Sequence, residues 1–589
     1  MIMDLEVYRN WTLVFFKNAA TKETLRLELP LDPFDMELLA HTVASHTIVT
    51  FNGMGYDIPL LALILRGDTS EKIKKASDRI IIHNLRWWNF EKEFNVKVFP
   101  EQIDQVDLIE VAPLTGSLKL YAGRLHSKSL QDLPIDPAKE VTEEDKAILR
   151  SYCENDCDST IDLLNALKVQ ISLREQMSKQ YGIDLRSKSD AQIAEAVIKS
   201  EVETILKRRL DKPGHSPGDR FHYNIPPFIK FKTLDLLEHI KPAWFVVNDK
   251  GSVLIPDELK SKNIKLSKGI YRMGIGGLHS SETKQIVKAD DAHMLMDFDV
   301  VSYYPSILLN QGLFPKHIGP SFLKVYRSIV DKRLAAKAAG NKAVSESLKI
   351  TINGTFGKLS SKWSALYSPD LFIQIVITGQ LALLMLIEAL DDIIGIEVIS
   401  ANTDGVTIRC CRDTEQEALD AVKEWERTTG FETERADYSG LFSRDVNSYV
   451  AIKTDGTVKT KGVYGEGLPL HKNPSARICA QAVIDYLTLE ADIEETIRST
   501  RDIRKFMCIR TVKGGGVHAG VPIGKIIRWY YSTEERENAI TYKVNGHLVP
   551  ETYGARPCVT LPDSVPADLD YDWYIKEANS LLTDLGVEA

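Results

Sequence analysis

The chain has 589 residues, 44% of them hydrophobic and 26% charged, which predicts a soluble protein of three or four units of about 100–200 residues each. We find no apolar run near the ~18–20 residues that a membrane span needs, which argues against a membrane protein. The net charge of −9 disfavours nucleic-acid binding over the whole surface, because lysines and arginines supply most non-specific affinity for phosphates.

Residues 1 to about 165 alternate strand-like runs (LEVY, TIVTF, RIIIH) with helical stretches, which predicts an α/β domain. Asp4 and Glu6 project from one strand face, and Tyr152 and Asp156 share one helix face. Between them, Asp57 opens a helical segment after a glycine-containing turn. Acids of this kind suit two Mg²⁺ ions, which can activate a water and stabilise the leaving oxygen of a phosphodiester.

A helical stretch, SDAQIAEAVIKSEVETILKRRL, and a proline-rich segment at residues 213–227 predict a connector. The run MLMDFDVVSYYPSILL then predicts a strand that carries Asp299, followed by a helix that begins near Ser302. Asp297 lies on the same strand face as Asp299, and we interpret it as a supporting residue.

Two predicted helices follow, joined by a glycine-containing turn. The first carries Arg333 and Lys337 one turn apart, and the second carries Lys349, Asn353 and Phe356 at helical spacing. A pair of apposed helices with three cations can bind a triphosphate. For Lys337, an ordinary helix-surface position explains the pattern equally well.

The run LFIQIVITGQLALLMLIEAL predicts a buried helix. It leads into IEVISANTDGVTIRC, which predicts two strands around a tight turn with Asp404 at its tip and Asn402 just before it. The sequence therefore contains a second pair of separated acids, Asp299 and Asp404, each at the end of a strand.

The order D-x-E, N-x-x-x-Y-D and Y-x-x-x-D over some 150 residues resembles the three exonuclease motifs of family B DNA polymerases. The resemblance implies that Tyr152 orients the attacking water and that Asn52 and Tyr56 touch a single-stranded 3′ end. The implied metal ligands, all catalytic, are Asp4, Glu6, Asp57 and Asp156.

The later runs resemble polymerase motifs A, B and C of the same family, with Asp299 and Asp404 as the catalytic, metal-binding pair. Asn402 departs from the usual D-T-D of motif C and puts in doubt only a supporting role. Tyr304 would exclude a ribose 2′-hydroxyl. The implied nucleotide-binding residues are Ser302, Tyr304, Arg333, Lys337, Lys349, Asn353 and Phe356.

Two further patches extend the resemblance to about residues 4–465. GIYRMGIGGLHS is similar to a template-binding motif, and YVAIKTDGTVKTKGVY is similar to the K-x-Y region near the primer terminus, where Lys459 competes with Lys461 in the alignment. The implied DNA contacts are Tyr271, Gly276, Gly277, Lys461 and Tyr464.

Basic residues with interleaved glycines and aromatic residues follow, where a thumb belongs in this family. Such a stretch could track a duplex backbone, although taken alone a solvated basic face explains it better. It comprises Arg501, Arg504, Lys505, Arg510, Lys513, Gly514, Gly515, Gly516, Lys525, Arg528, Trp529, Tyr530 and Tyr531.

The implied fold is multidomain α/β and α+β, with an RNase H-like exonuclease domain followed by a right-hand polymerase. The predicted boundaries are 1–175 for the 3′→5′ exonuclease, 176–265 for a helical connector and the start of the palm, 266–314 for the palm with motif A, 315–362 for the fingers with motif B, 363–470 for the palm with motif C and 471–589 for the thumb.

The resemblance implies a DNA-templated DNA polymerase with proofreading, dependent on two Mg²⁺ ions per active site, with Mn²⁺ as a possible substitute. Expected partners are primer-template DNA, dNTPs and replication accessory proteins, with no membrane and a monomeric state. The length and an exonuclease motif that begins at residue 4 favour a bacteriophage or mobile-element enzyme, active in the bacterial host cytoplasm.

Spacing bears on priming. Asp299 to Lys349 spans 50 positions, and Asn353 to Asp404 spans 51. Protein-primed members of the family carry insertions in both intervals, whereas short helices already fill most of the first interval here. We therefore expect a nucleic-acid primer and poor strand displacement by the protein alone.

Two alternatives remain open at this point. The departures Asn402, Gly354 and Phe356 are compatible with an exonuclease whose polymerase half is degenerate. A non-catalytic nucleic-acid-binding scaffold is the other alternative, but retention of Asp299 and Asp404 argues against it, because a scaffold has no need for acids that repel one another.

The seven cysteines are scattered and form no C-x-x-C pair, and the N-terminal residues MIMDLEVYRN lack a secretion signal. We therefore expect reduced thiols in a cytoplasm and no structural zinc. Cys153, Cys157, Cys410 and Cys411 are interpreted as packing residues.

Overall fold

The computed structural model describes residues 1–98, 103–233, 236–266, 268–465 and 470–588. The chain forms two compact units. Unit 1 comprises Met1–Ser189, Gly467–Ile478 and Arg498–Tyr574, and unit 2 comprises Asp190–Glu466, Cys479–Ile497 and Ile575–Ala589. Both units combine helices with sheets, so the predicted multidomain α/β organisation is confirmed. The finer exonuclease, palm, fingers and thumb boundaries stay predictions.

Residues 1–189 of unit 1 form a mixed sheet with helices. Its strands, in the spatial order β3-β2-β1-β4-β5, are β1 (Ile2–Val7), β2 (Thr12–Lys17), β3 (Thr24–Glu28), β4 (Ile48–Thr50) and β5 (Gln105–Asp107). The helices are α1 (Pro33–Ser45), α2 (Asp57–Leu65), α3 (Ser70–Ile81), α4 (Trp87–Phe94), α5 (Leu108–Val111), α6 (Leu118–Arg124), α7 (Glu143–Ala166) and α8 (Lys168–Tyr181).

Strand β1 separates two hydrophobic cores. Met3 and Leu5 pack with α2 and α3, whereas Ile2 packs in the core that includes Cys153 of α7. Because side chains alternate along a strand, Asp4 shares the α7 side with Ile2. The alternation predicted for the D-x-E strand thus aims its acids at the helix of the third motif.

The run RIIIH was predicted as a strand, and this prediction is wrong. Its residues Arg79–Ile81 are the last of α3. Consecutive isoleucines favour a strand locally, but Ile73 and Ala76 are buried at helical spacing, and this packed face extends the helix through the run. Ile81 and Ile82 remain exposed.

Residues 190–466 supply most of unit 2. Their helices are α9 (Asp190–Leu206), α10 (Leu236–Ile240), α11 (Asp257–Lys260), α12 (Tyr303–Asn310), α13 (Ser321–Ala338), α14 (Lys342–Leu359), α15 (Pro369–Asp391) and α16 (Glu415–Thr429). Their strands are β6 (Arg220–Phe221), β7 (Phe245–Val247), β8 (Val253–Leu254), β9 (Ile264–Leu266), β10 (Gly269–Gly274), β11 (Gly277–Ser280), β12 (Thr283–Lys288), β13 (His293–Val300), β14 (Ile396–Asn402), β15 (Gly405–Cys411), β16 (Thr433–Asp445), β17 (Ser448–Lys453) and β18 (Val458–Lys461).

The main sheet of unit 2 has the order β18-β17-β16-β13-β15-β14-β11-β10-β9, with β12 paired to β16. Strand β13 lies between β15 and β16, and Asp299 near its end is opposite Gly405. The strand–turn–strand of β14 and β15 and the helix pair α13 and α14 agree with the sequence predictions. This topology brings the two predicted catalytic acids to the same end of neighbouring strands.

Helix α15 is long and apolar enough to cross a membrane by length and composition, so the expectation that no run reaches this length is wrong. However, 89% of its most apolar 18-residue window is buried inside the protein. Core helices pass the same test, and this one packs against β14 and α12, as predicted for a buried helix.

The remaining elements are α17 (Arg477–Leu489), α18 (Ile493–Ser499), β19 (Cys508–His518), β20 (Val521–Tyr531), β21 (Thr541–Tyr542), β22 (Ala555–Pro557) and α19 (Tyr571–Asp584), with the sheet order β21-β19-β20-β22. The basic stretch of this region is only partly a surface. Arg528 is buried and donates to the carbonyl oxygens of Ser127, Cys558 and Val559. Trp529, Tyr530 and Tyr531 are also buried, so none of these four side chains can follow a duplex.

Two candidate active sites

In unit 1, the acids of the three motifs form a buried cluster. The ligand atoms of Asp4, Glu6 and Cys153 lie within 4.8 Å of one another, and the Cys153 thiol donates to Asp4 Oδ2 at 3.4 Å. Asp57 is buried at the start of α2, and its Oδ1 has no hydrogen-bond partner among the described residues. Such unpaired oxygen donors fit a hard divalent cation.

Burial and mutual repulsion raise the pKa values of the acids in this cluster. Burial and the charge of Asp156 raise the pKa of Asp4 to about 7. Burial and the charge of Asp4 raise the pKa values of Glu6 and Asp57 well above the ordinary range. Without a cation these acids resist ionisation, so the site as built favours a positively charged ligand.

Lys119 of α6 is a site residue that the sequence analysis missed. Its ammonium group pairs with Asp156 Oδ1 at 3.8 Å, donates to the Tyr152 hydroxyl and lies 4.2 Å from the centre of the Tyr152 ring. Nothing in the run SLKLYAGR separates it from a helix-surface lysine. Tyr152 and Asp156 share a helix face as predicted, and Lys119 holds the tyrosine hydroxyl next to the acid.

The loop after β4 presents Asn52 to solvent. Asn52 has a φ of 66°, and buried Asp107 holds the loop by accepting hydrogen bonds from the backbone N–H groups of Asn52 (2.8 Å) and Met54 (3.0 Å). Tyr56 is half-buried, with its hydroxyl 2.9 Å from Ser77 Oγ. Asp107 was also missed, since one acid at a strand end carries no signal.

In unit 2, Asp299 and Asp404 line a cleft of about 370 Å³. The Val300 N–H donates to the Asp404 carbonyl oxygen at 2.7 Å, which ties the turn after β14 to the end of β13. Partial burial and the charge of Asp297 raise the pKa of Asp299, and partial burial and the charge of Asp299 raise that of Asp404. The two acids therefore form one electrostatic unit.

Lys459 enters this cleft from β18. Its Nζ lies 3.1 Å from Asp297 Oδ2 and 3.2 Å from Asp299 Oδ2. Although partial burial opposes it, the charge of Asp297 raises the pKa of Lys459. Asp297 is buried and accepts from Thr407 Oγ1 (2.7 Å) and the Tyr438 hydroxyl (2.6 Å), which fits the supporting role predicted for it. Lys459 was the less favoured candidate for the K-x-Y lysine, and it makes the direct contact with Asp299.

A second cavity of about 320 Å³ adjoins the first at Asp404. It is lined by five of the predicted nucleotide-binding residues: Ser302, Tyr304, Arg333, Lys349 and Asn353. Phe356 stacks on Tyr304, with ring centres 4.3 Å apart, whereas Lys337 is exposed and does not line the cavity.

The backbone beside Asp404 adopts unusual conformations. Ser302 and Thr403 have φ values of 48° and 60°, in the left-handed region that non-glycine residues rarely occupy. Such conformations cluster at functional sites. Gly277, predicted to contact DNA, has a φ of 134° and packs against Thr403. It therefore contacts the turn that carries Asp404.

Burial corrects two of the predicted DNA contacts. Tyr271 is 2% exposed, and Tyr464 is fully buried with its hydroxyl donating to the Leu581 carbonyl oxygen at 2.9 Å. Both rings are core side chains, so neither is available to DNA. The Gly276 carbonyl lies 3.5 Å from the Tyr304 hydroxyl, and Lys461 lines the first cleft.

If Asp299 is the catalytic acid that the sequence analysis predicts, Gly405→Ala should reduce catalysis at this site by about a hundred-fold, because a displacement near 1 Å can cost that much. A β-carbon at position 405 would overlap Asp299 Oδ1, so the carboxylate must move. The matched control is Gly214→Ala, where a β-carbon meets nothing. Equal nucleotide-incorporation rates for the two variants would contradict the placement of Asp299.

No family model and no curated protein matches the chain. Among solved structures, it is similar to the family B DNA polymerase from the hyperthermophilic archaeon Pyrobaculum calidifontis, over 99% of this chain and 77% of that chain, with 14% sequence identity and a TM-score of 0.39. The function is therefore argued from the side chains of the two sites.

Proposed function

We propose that this chain is a DNA-templated DNA polymerase with a 3′→5′ exonuclease. The observation that carries the proposal is the pair of cavities that share Asp404. One contains the acids Asp299 and Asp404, and the other contains the cations Arg333 and Lys349. Nucleotidyl transfer needs acids that can hold a metal, and it needs them next to cations that can hold a triphosphate.

Each group of the polymerase site has a role in this proposal. Arg333 and Lys349 bind the triphosphate, and Tyr304 packs under the deoxyribose, held by its stacking on Phe356. Asp299 and Asp404 would hold two Mg²⁺ ions. When bound, Mg²⁺ lowers the pKa of the primer 3′-hydroxyl and neutralises the negative charge that develops on the triphosphate. Lys459 fixes the Asp299 carboxylate.

At the unit 1 site, Asp4, Glu6, Asp57 and Asp156 would hold the same kind of cation. Tyr152, positioned by Lys119, orients a water towards the terminal phosphodiester, and exposed Asn52 contacts the unpaired 3′ end. Removal of the last nucleotide breaks the P–O3′ bond; the water oxygen ends on the 5′-phosphate of the released nucleotide, and a water proton restores the 3′-hydroxyl of the shortened strand.

We further propose that the primer is a nucleic acid. Helices α12, α13 and the first part of α14 occupy the interval from Asp299 to Lys349, and the rest of α14, α15 and β14 occupy the interval from Asn353 to Asp404. These elements fill both intervals, which supports the absence of a docking subdomain for a priming protein.

Primer extension tests the proposal directly. The purified protein, a 5′-labelled DNA primer on a longer DNA template, the four dNTPs and Mg²⁺ should give products that grow with the template, and EDTA should abolish them. Shortening of the primer without extension in any dNTP mixture would support the degenerate-polymerase alternative and overturn the proposal.

Tyr304→Ala should raise the ratio of ribonucleotide to deoxyribonucleotide incorporation by about ten-fold or more, since a pocket that loses bulk stops rejecting the extra hydroxyl. Single-nucleotide incorporation of matched rNTP and dNTP pairs measures the ratio. Tyr304→Phe is the control, because it keeps the ring on Phe356 and should keep the ratio. An unchanged ratio in the alanine variant would place the sugar gate elsewhere.

A further inference from the structure

Outside both acidic sites, an exposed tryptophan lies between two lysines. Trp363, in the segment between α14 and α15, is 71% exposed. The ammonium groups of Lys212 and Lys362 lie 5.8 Å and 5.3 Å from its ring centre. Single exposed apolar residues are common, but a large open ring with two adjacent cations combines the two features that bind single-stranded nucleic acid.

The tryptophan is held firmly, although it is exposed. Two positions on, the Ala365 N–H donates to Glu195 Oε1 of α9 at 2.7 Å. Tyr367 is buried, and its hydroxyl donates to the Gly251 carbonyl oxygen at 2.7 Å. Trp363 therefore lies in a segment that these two hydrogen bonds hold in place. Because the ring is already fixed and exposed to solvent, binding a base costs little conformational entropy.

The surroundings are basic in a protein with a net charge of −9. Lys212 belongs to a run that leaves the end of α9, and its other exposed cations are Lys207, Arg208 and Arg209. The acids in the same loops are Asp211, Asp219 and Asp249; Asp219 lies 3.3 Å from His215 Nδ1, and the backbone carbonyl of Asp249 lies 3.5 Å from Lys362 Nζ. Positive charge dominates this local surface.

We infer that Trp363, with Lys212 and Lys362, is a binding platform for single-stranded DNA, outside the catalytic clefts. A base stacks on the open indole, and the two ammonium groups meet the flanking phosphates. Trp363 follows α14, the helix that carries Lys349 and Asn353, by four positions, and we assign the bound strand as the unpaired template ahead of the primer. The last step rests on the proposed polymerase function, but the binding itself does not.

The test is fluorescence anisotropy with a 5′-fluorescein-labelled 20-nucleotide oligo-dT and the full chain in EDTA, where metal-dependent chemistry cannot contribute. Trp363→Ala should weaken binding by about ten-fold, and Trp363→Phe should restore most of it, because stacking survives. Replacing both lysines (K212A/K362A) should reduce the slope of log K against log salt by about 1.4, because each phosphate that a lysine neutralises on a single strand adds about 0.7 to the slope.

The matched control is Trp88→Ala in unit 1, since Trp88 is 50% exposed and contacts the Trp87 ring. Wild-type affinity in Trp363→Ala, or an equal loss in Trp88→Ala, would overturn the inference. In extension assays, Trp363→Ala should slow extension on primed templates with a 20-nucleotide overhang and leave extension on templates with a two-nucleotide overhang unchanged. Equal effects on the two templates would overturn the template assignment. Absence of extension by the wild type, with Trp363-dependent oligo-dT binding retained, would overturn only the polymerase proposal.

Discussion

Asp404→Asn is expected to lower the primer-extension rate by about a thousand-fold or more, because loss of a metal-binding carboxylate removes several kcal/mol of transition-state stabilisation. Asp404 is the residue shared by the two cavities of unit 2, and asparagine in its place removes a charge that faces both of them. Single-turnover incorporation of one dNTP with Mg²⁺ measures the loss. Partial burial and the charge of Asp299 raise the pKa of Asp404, so the variant should melt at the same temperature or higher in EDTA.

Asn402→Asp is the control on the same turn. The Asn402 side-chain amide donates to the Val446 carbonyl oxygen at 3.0 Å, and an aspartate cannot make this bond. We expect a stability loss of about 1 kcal/mol and an extension rate within about ten-fold of wild type. If Asn402→Asp is as damaging to extension as Asp404→Asn, the assignment of the motif C turn is wrong.

The sequence predicted those parts of the fold that depend on local pattern. Strand alternation places Asp4 and Glu6 on one face, helix periodicity places Tyr152 with Asp156, and the tight turn places Asp404 between two strands; all three placements agree with the structure. The run RIIIH failed because packing of α3 overrides the strand preference of isoleucine. Local patterns cannot rank such competing forces.

Long-range partners were the features that the sequence could not predict. Lys119 reaches Asp156 across 37 positions and Lys459 reaches Asp299 across 160; Lys119 has no local signature, and the motif near Lys459 could not decide between it and Lys461. Tyr271 and Tyr464 fit motif positions but are buried, because motif matching reports order along the chain and not exposure. Arg528 likewise looked like a surface cation until its carbonyl partners were known.

Asp4→Ala combined with Asp57→Ala is expected to abolish degradation of single-stranded 3′ ends, by about a thousand-fold or more, while extension of a matched primer survives. The cluster that contains these acids lies within unit 1, and Asp299 and Asp404 lie within unit 2. A labelled oligonucleotide without template and the same oligonucleotide on a template measure the two activities with one preparation. The control is Glu154→Gln on α7, whose carboxylate pairs with Lys17 and Arg26 instead of facing the cluster.

Thermal melting shows whether the double variant has lost only the site or has also lost its fold. The folded-state pKa of Asp4 is about 7, above its ordinary value of 3.8, so the folded protein binds its proton more tightly than the unfolded chain. This group therefore makes metal-free wild type less stable as pH rises from about 4 to 7, and the double variant should show a weaker dependence, because Glu6, whose pKa burial also raises, remains. Melting in EDTA at pH 5 and pH 8 measures it. Loss of both enzymatic activities with an intact melting transition would mean that the two units do not divide the two reactions.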